Sequence, residues 1–352
     1  MPVVDFRGTW TALTTPFKQD GSVDYAGLEK NIEFQIAQGI TGILPVGTTG
    51  ESPTLSKDEH NTVVRKAKEF AGDRCGLLAG TGSNCTEEAS GYCKNALESG
   101  IDKVLLVDCY YNGPSSLELR KEYYQRILDE YKDIKIAIYV IPGRTGTSIS
   151  PVDIAVLSGQ YDRVIAIKEA TGDISRMIEE RNLMPDMSIM SGDDDKTLEM
   201  MINNKIIASG VISVVTNIVP GAVKEMVDAV LSGNSDKGNA LADKLRPLFS
   251  IVTVKAESKR VLPGGAEISV EDRFRNPLAI KTAMNALGIP AGAPRKPLGK
   301  MTGAGIQIVR NVLKKVYKES FDILKPLEDF YDVNIGKRLE DDSVWGAMEY
   351  QP

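Results

Sequence analysis

A lysine closes the apolar run VIAIK at Lys168. Loss of water there disfavours the ammonium and favours the free amine, the form that attacks a ketone to make an imine. A lone lysine at such a place also reads as a side chain snorkelling to the rim, so its companions carry the weight. Tyr139 ends a second apolar run, KIAIYV, and a phenol can give and take protons in turn where no histidine is at hand. By itself it is equally an aromatic residue with its hydroxyl at the rim. Arg144 follows a Pro-Gly turn, and its planar guanidinium suits bidentate capture of a carboxylate as well as a weak surface ion pair. Thr48 and Thr49, between Gly47 and Gly50, can bind a carboxylate or pass protons, or can form a simple turn with a helix cap.

The elements that must position these residues read as short β-rich runs alternating with longer amphipathic stretches. Candidate strands lie at about 10–15, 42–47, 76–81, 103–108, 135–140, 164–168, 187–192 and 208–214. Eight such βα units predict an α/β fold, a (β/α)8 TIM barrel, over 1–232. In such a barrel reactive groups gather at the C-terminal strand ends, where Tyr110-Tyr111-Asn112, Ser191-Gly192-Asp193 and Gly210-Val211-Ile212-Ser213 join those above. Ser56 with Glu59 forms a capping-box pattern, and Pro151 opens another helix. Past about 235 the strand signal stops. A C-terminal helical extension is expected over 233–325, with an irregular Gly-, Pro- and charge-rich insertion near 255–275, and a polar tail over 326–352.

Composition narrows the chemistry. A single histidine, His60, leaves no His cluster for a metal and makes a Ser-His or Cys-His nucleophile an unpromising reading. Cys75, Cys85, Cys93 and Cys109 show no C-x-x-C spacing, so reduced and largely packed thiols are expected and no metal site. A formal net charge of -6 offers no general attraction to nucleic acid or to an anionic membrane. No signal-peptide pattern and no membrane-length apolar run is found, which leads to an expected cytoplasmic location.

Six motifs in order, GTTGESPTL (47–55), YYN (110–112), YVIPGRTG (139–146), IKEATGD (167–173), SGDD (191–194) and GVISV (210–214), resemble the dihydrodipicolinate synthase / N-acetylneuraminate lyase family of pyruvate-dependent class I aldolases. The resemblance covers about 6–320. It implies that Lys168 forms the Schiff base with pyruvate and that Tyr139, Thr48 and Tyr111 form a hydroxyl relay, Tyr111 being supplied across a subunit interface. Thr49 would hold the pyruvate carboxylate, with Gly192 and Ile212 at the same pocket. A homo-oligomer, a dimer of dimers or homotetramer, is implied, as is the need for no metal or organic cofactor. Pro-Gly-Arg-Thr after Tyr139 resembles the synthase branch, whose arginine binds the carboxylate of L-aspartate 4-semialdehyde. That branch condenses the semialdehyde with pyruvate, releases 4-hydroxy-tetrahydrodipicolinate and serves lysine (diaminopimelate) biosynthesis.

By the same resemblance Ser52, His60, Asn84, Glu88 and Tyr110 match an allosteric L-lysine site. Pro53 and Lys57 depart from its commonest pattern, and His60 also reads as a helix-surface residue. The stretch 255–275 and the end of the chain exceed the usual family length. Two rivals stand beside the synthase: another pyruvate aldolase or keto-sugar-acid dehydratase, against which Arg144 argues, and a silent paralogue serving as a binding or scaffold protein.

Overall fold

The computed structural model describes residues 6–350. Its parallel strands are β1 (Gly8–Ala12), β2 (Gly42–Leu44), β3 (Gly76–Leu77 and Ala79–Gly80, interrupted at Leu78), β4 (Lys103–Val107), β5 (Lys135–Val140), β6 (Val164–Glu169), β7 (Ser188–Ser191) and β8 (Gly210–Ser213). One half of β3 pairs with β2 and the other with β4, so a sheet of nine bonded segments closes on itself as an eight-stranded barrel. Helices connect successive strands, including Lys57–Ala71, opened by the Ser56–Glu59 capping box, and Pro151–Gln160. The barrel is the architecture that eight βα units predict.

Side-chain alternation sets what faces inward. On β5, Ala137 and Tyr139 join the barrel core, while Ile136, Ile138 and Val140 pack into the shell beneath the helices. On β6, Ala166 is inward and Ile167 outward. Tyr139 is registered directly against Lys168, and Ala137 against Ala166, so two small residues lie below the two reactive ones. Trp10 fills the barrel floor; a Cβ on Gly42 would fall 2.3 Å from its ring, which is why that strand position must lack one.

Two C-terminal regions depart from expectation. Residues near 255–275 are not irregular but form an antiparallel hairpin, β9 (Thr253–Val261) with β10 (Glu267–Arg275), paired to each other and apart from the barrel sheet. Its turn uses Gly264 and Gly265 at φ 135° and 85°, which a side chain would strain. Cross-strand ion pairs Lys255–Glu271, Lys259–Glu267 and Arg260–Asp272 explain the charge density. The expected polar tail over 326–352 is likewise largely folded. Helices Phe321–Tyr331, Ile335–Glu340 and Asp342–Gly346 bury Leu324, Leu327, Tyr331, Ile335, Leu339 and Trp345, because these apolar residues recur at helical spacing among the charges. The thiols also vary in exposure: Cys93 is buried, Cys75 and Cys109 half-buried and Cys85 exposed.

No helix among the described residues is long and apolar enough to cross a membrane.

Candidate active site

Lys168 is the penultimate residue of β6 inside the barrel mouth, 5% exposed, with its Nζ 4.1 Å from the centre of the Tyr139 ring. Burial lowers its pKa to about 8; Asp193 and Asp194 oppose the shift, and Arg144 assists it. A cavity of about 230 Å³ at this end is lined by Lys168, Tyr139, Thr48, Thr49, Arg144 and Gly192. A second cavity, also about 230 Å³, lies on the other side of Thr48, Tyr139, Ile141 and Arg144 and reaches Ser52, Pro53 and Tyr110. Tyr139 and Thr48 thus form the wall between two chambers.

Burial pushes the Tyr139 phenol well above its ordinary range; Arg144 and the Thr48 hydroxyl favour its ionised form, and Asp193 disfavours it. A phenol so placed stays protonated and can donate to a developing alkoxide or nitrogen base. Arg144 is held by a bond from its Nη2 to the Asn276 carbonyl, 2.9 Å, and Asn276 Nδ2 donates to Thr49 Oγ1 at 2.9 Å. One residue therefore ties Arg144 and Thr49 to the end of β10.

The GTTGE turn is anchored from below. Glu51 accepts from Lys281 Nζ at 2.6 Å and from the Arg295 backbone N–H at 2.8 Å, and Lys281 also donates to the Thr15 carbonyl at 2.9 Å. Lys281 and Glu51 are 0% and 1% exposed, so their charges are neutralised by each other rather than by water. Asp194 fixes the opposite wall, accepting from the Ser213 hydroxyl and from the Val214 and Val215 N–H groups at 2.9 and 3.2 Å. Gly192 has to lack a side chain, since a Cβ would lie 2.7 Å from that of Ala170. Asp193 lines the Lys168 cavity; burial raises its carboxyl to about 6.

Two of the expected residues stand apart. Tyr111 is 88% exposed at φ 80°, and within this chain it does not line the Lys168 cavity. Ile212 is fully buried in the barrel core, while Val214 lines the cavity from that strand end. The residues matched to an effector site lie beside the second cavity, with Glu88 close enough to act on both His60 and Tyr110. Ser52 and Tyr110 line the chamber, whereas Asn84 and Glu88 are exposed. The helix-surface reading of His60 is corrected: it is 1% exposed, stacked on Tyr92 with ring centres 3.7 Å apart. Burial lowers its pKa to about 4 against the opposing influence of the Gly80 backbone, so the ring is neutral near pH 7.

Tyr92, Asp193, Asn276, Lys281, Arg273 and Arg275 carry no role that the sequence marks. Asp193 belonged to a quoted motif, while the others meet the site only through tertiary packing. Among the described residues no group of three or more His, Cys, Asp or Glu side chains could hold a metal ion.

Residues 5–316 match the model of the Dihydrodipicolinate synthetase family. The chain is 37% identical over 310 residues to the 4-hydroxy-tetrahydrodipicolinate synthase of Methanococcus maripaludis strain C7, covering 88% of this chain and 98% of that one. The crystal structure of dihydrodipicolinate synthase from Aquifex aeolicus superimposes with a TM-score of 0.79 at 36% identity, covering 91% of this chain and 99% of the other. A lysine-bound structure of the enzyme from Cyanidioschyzon merolae gives 0.78 at 30% identity, over 88% and 98%. Family model, sequence relatives and solved structures agree, and the chain belongs to the Dihydrodipicolinate synthetase family.

Proposed function

We propose that this chain is a lyase that condenses pyruvate with L-aspartate 4-semialdehyde through a Schiff base on Lys168, in the lysine (diaminopimelate) pathway of the cytoplasm. The observation that carries the reading is the buried amine of Lys168 over the Tyr139 ring, in one cavity with Thr49 and Arg144. The free amine attacks the pyruvate ketone, and water leaves as the imine forms. The protonated imine is itself the electron sink, so the chemistry calls for no metal and no organic cofactor. Loss of a methyl proton gives the enamine, which attacks the aldehyde carbon. The amino group of the condensed semialdehyde then adds to the imine carbon, closing the ring and expelling the Lys168 amine. Tyr139 and Thr48 move the protons, Thr49 holds the pyruvate carboxylate with Gly192 and the Ile212 strand end behind it, and Arg144 receives the carboxylate of the acceptor.

Tyr111, strained in backbone and exposed in one chain, suits a role at the site of a second copy, which supports a homo-oligomer sharing this residue as a dimer of dimers. Ser52, His60, Asn84, Glu88 and Tyr110 are proposed as an L-lysine site. That Ser52 and Tyr110 share a chamber with Tyr139 and Thr48 supports a route by which an effector reaches the relay.

The test is trapping: pyruvate with borohydride, followed by mass spectrometry, should place the adduct on Lys168. The acceptor is then read from coupled assays with aspartate semialdehyde, N-acetylmannosamine and glyceraldehyde, where turnover of the semialdehyde alone is expected. Faster turnover of either sugar aldehyde would favour the rival aldolase reading. No adduct and no turnover would favour a silent binding paralogue.

A further inference from the structure

The Lys168 cavity has walls that the eight barrel strands do not supply. Val252, Thr253, Arg273, Arg275 and Asn276, from the base of the β9–β10 hairpin, line it alongside Arg144 and Lys168. Four basic residues and one acidic residue, Asp193, therefore face one cavity, in a chain whose net charge is -6. Elsewhere on the hairpin the basic residues are neutralised: Lys255, Lys259 and Arg260 each make an ion pair with a carboxylate of the facing strand. Among the described residues, Arg144, Arg273 and Arg275 make no ion pair with a carboxylate, although Arg273 and Arg275 belong to the same ladder.

The hairpin also accepts unfavourable neighbours. Arg273 is registered directly opposite Lys255, a like-charge pair that a purely structural hairpin would avoid. Arg275 is half-buried and donates from Nη1 to the Gly143 carbonyl at 3.1 Å, on the same turn that carries Arg144. Arg144 in turn donates to the carbonyl of Asn276, the residue after Arg275. The two segments are thus cross-bonded, and their guanidiniums converge on one opening. Concentrated cations without protein counter-charges attract an anionic ligand and release its energy on binding, which is the arrangement used for carboxylate recognition.

We propose that Arg273 and Arg275 are acceptor-binding residues and that the hairpin is a specificity arm. With Arg144 they grip the carboxylate of the incoming aldehyde, and they select small aldehydes that carry a carboxylate over neutral ones. This inference rests on the imine reading of Lys168, since only a pyruvate enamine gives the cavity an aldehyde to receive.

The experiment compares the unaltered full chain with Arg273→Gln/Arg275→Gln and with Arg273→Lys/Arg275→Lys. Steady-state KM for aspartate semialdehyde, KM for pyruvate and borohydride trapping of pyruvate are measured in parallel, with circular dichroism as the folding control. The glutamine pair should raise KM for the semialdehyde by about tenfold, the scale of a lost charge-assisted contact, with KM for pyruvate and the trapped adduct unchanged. The lysine pair should recover part of that loss, and the salt dependence of the aldehyde KM should flatten in the glutamine pair. An aldehyde KM within about twofold of the unaltered chain overturns the inference while leaving the Lys168 reading intact. Equal rises in both KM values also overturn it, by showing a general field rather than acceptor binding. Absence of an adduct in the unaltered chain overturns the imine reading, and this inference with it.

Discussion

Adduct formation between Lys168 and pyruvate is expected to follow a single titration centred near pH 8, because burial holds the amine at about 8 instead of its ordinary 10.5. At neutral pH a lysine at 10.5 is only about 0.03% free amine, whereas one at 8 is about 9% free, a gain of roughly 300-fold in nucleophile. Two neighbours make the cause separable. Asp193 raises the Lys168 pKa and Arg144 lowers it. Asp193→Asn should therefore move the inflection down and Arg144→Gln should move it up. Burial raises the Asp193 carboxyl to about 6, so it is half ionised at the low end of the window and almost fully charged at the lysine inflection near pH 8. The assay is the rate of adduct formation with pyruvate and cyanoborohydride, by intact-mass spectrometry, from about pH 6 to about pH 10. An inflection near 10 in the unaltered chain would refute the desolvation argument. Shifts of the same sign in the two variants would refute the assignment of Asp193 and Arg144 as opposing charges.

The same lysine costs stability. Between about 8 and 10.5 the unfolded chain binds a proton that the folded chain lacks, so stability rises with pH across that window and the full penalty applies below 8. Lys168→Met should abolish trapping and, near pH 7, stabilise the fold by about 1–3 kcal/mol in denaturant titration; a less stable variant would count against the penalty. Tyr139→Phe keeps the packed ring and removes the hydroxyl, so kcat should fall about 100- to 1000-fold with an unchanged circular dichroism spectrum, and undiminished turnover would exclude Tyr139 as the proton carrier. Lys281→Met leaves Glu51 buried without its cation and should cost about 3–5 kcal/mol in urea titration, partly recovered by adding Glu51→Gln. A stop after Ser320 removes the buried Leu324, Leu327, Tyr331, Ile335, Leu339 and Trp345. At about 1.5–3 kcal/mol each, their loss is about 9–18 kcal/mol, as large as the whole stability of a typical domain, so the truncated chain should not fold; a native melting curve would disprove this.

What could be read from sequence follows from how each part is stabilised. The barrel strands are buried on both faces, so they appear as apolar runs, and the run ends mark Lys168 and Tyr139 directly. Thr48, Thr49 and Arg144 were legible because they sit in turns with glycine or proline. The hairpin was not, although KAESKRV and EISVEDRFR alternate and Leu-Pro-Gly-Gly separates them. It is held largely by its ladder and ion pairs, and with only Val254 and Ala256 of β9 buried it lacks the apolar signal. The final helices were hidden by their charges and by Pro326, although Phe321, Leu324, Leu327, Tyr331, Ile335 and Leu339 keep a helical stripe. Asn276 and Lys281 could not be found at all, because their meaning lies in what they touch: Thr49 and Arg144 for one, Glu51 for the other.

The last helices also clasp the first. Tyr331 Oη donates to Asn31 Oδ1 at 2.9 Å inside a packed group with Phe34 and Phe330, on the helix Tyr25–Ala37 that follows β1. These partners lie 300 residues apart. During synthesis the outer surface of that first helix stays uncovered until nearly the whole chain has left the ribosome, and the closing contacts are among the most costly in loop entropy. The nascent protein therefore spends most of its synthesis with Phe34 of that helix bare, the period in which a chaperone has most to protect.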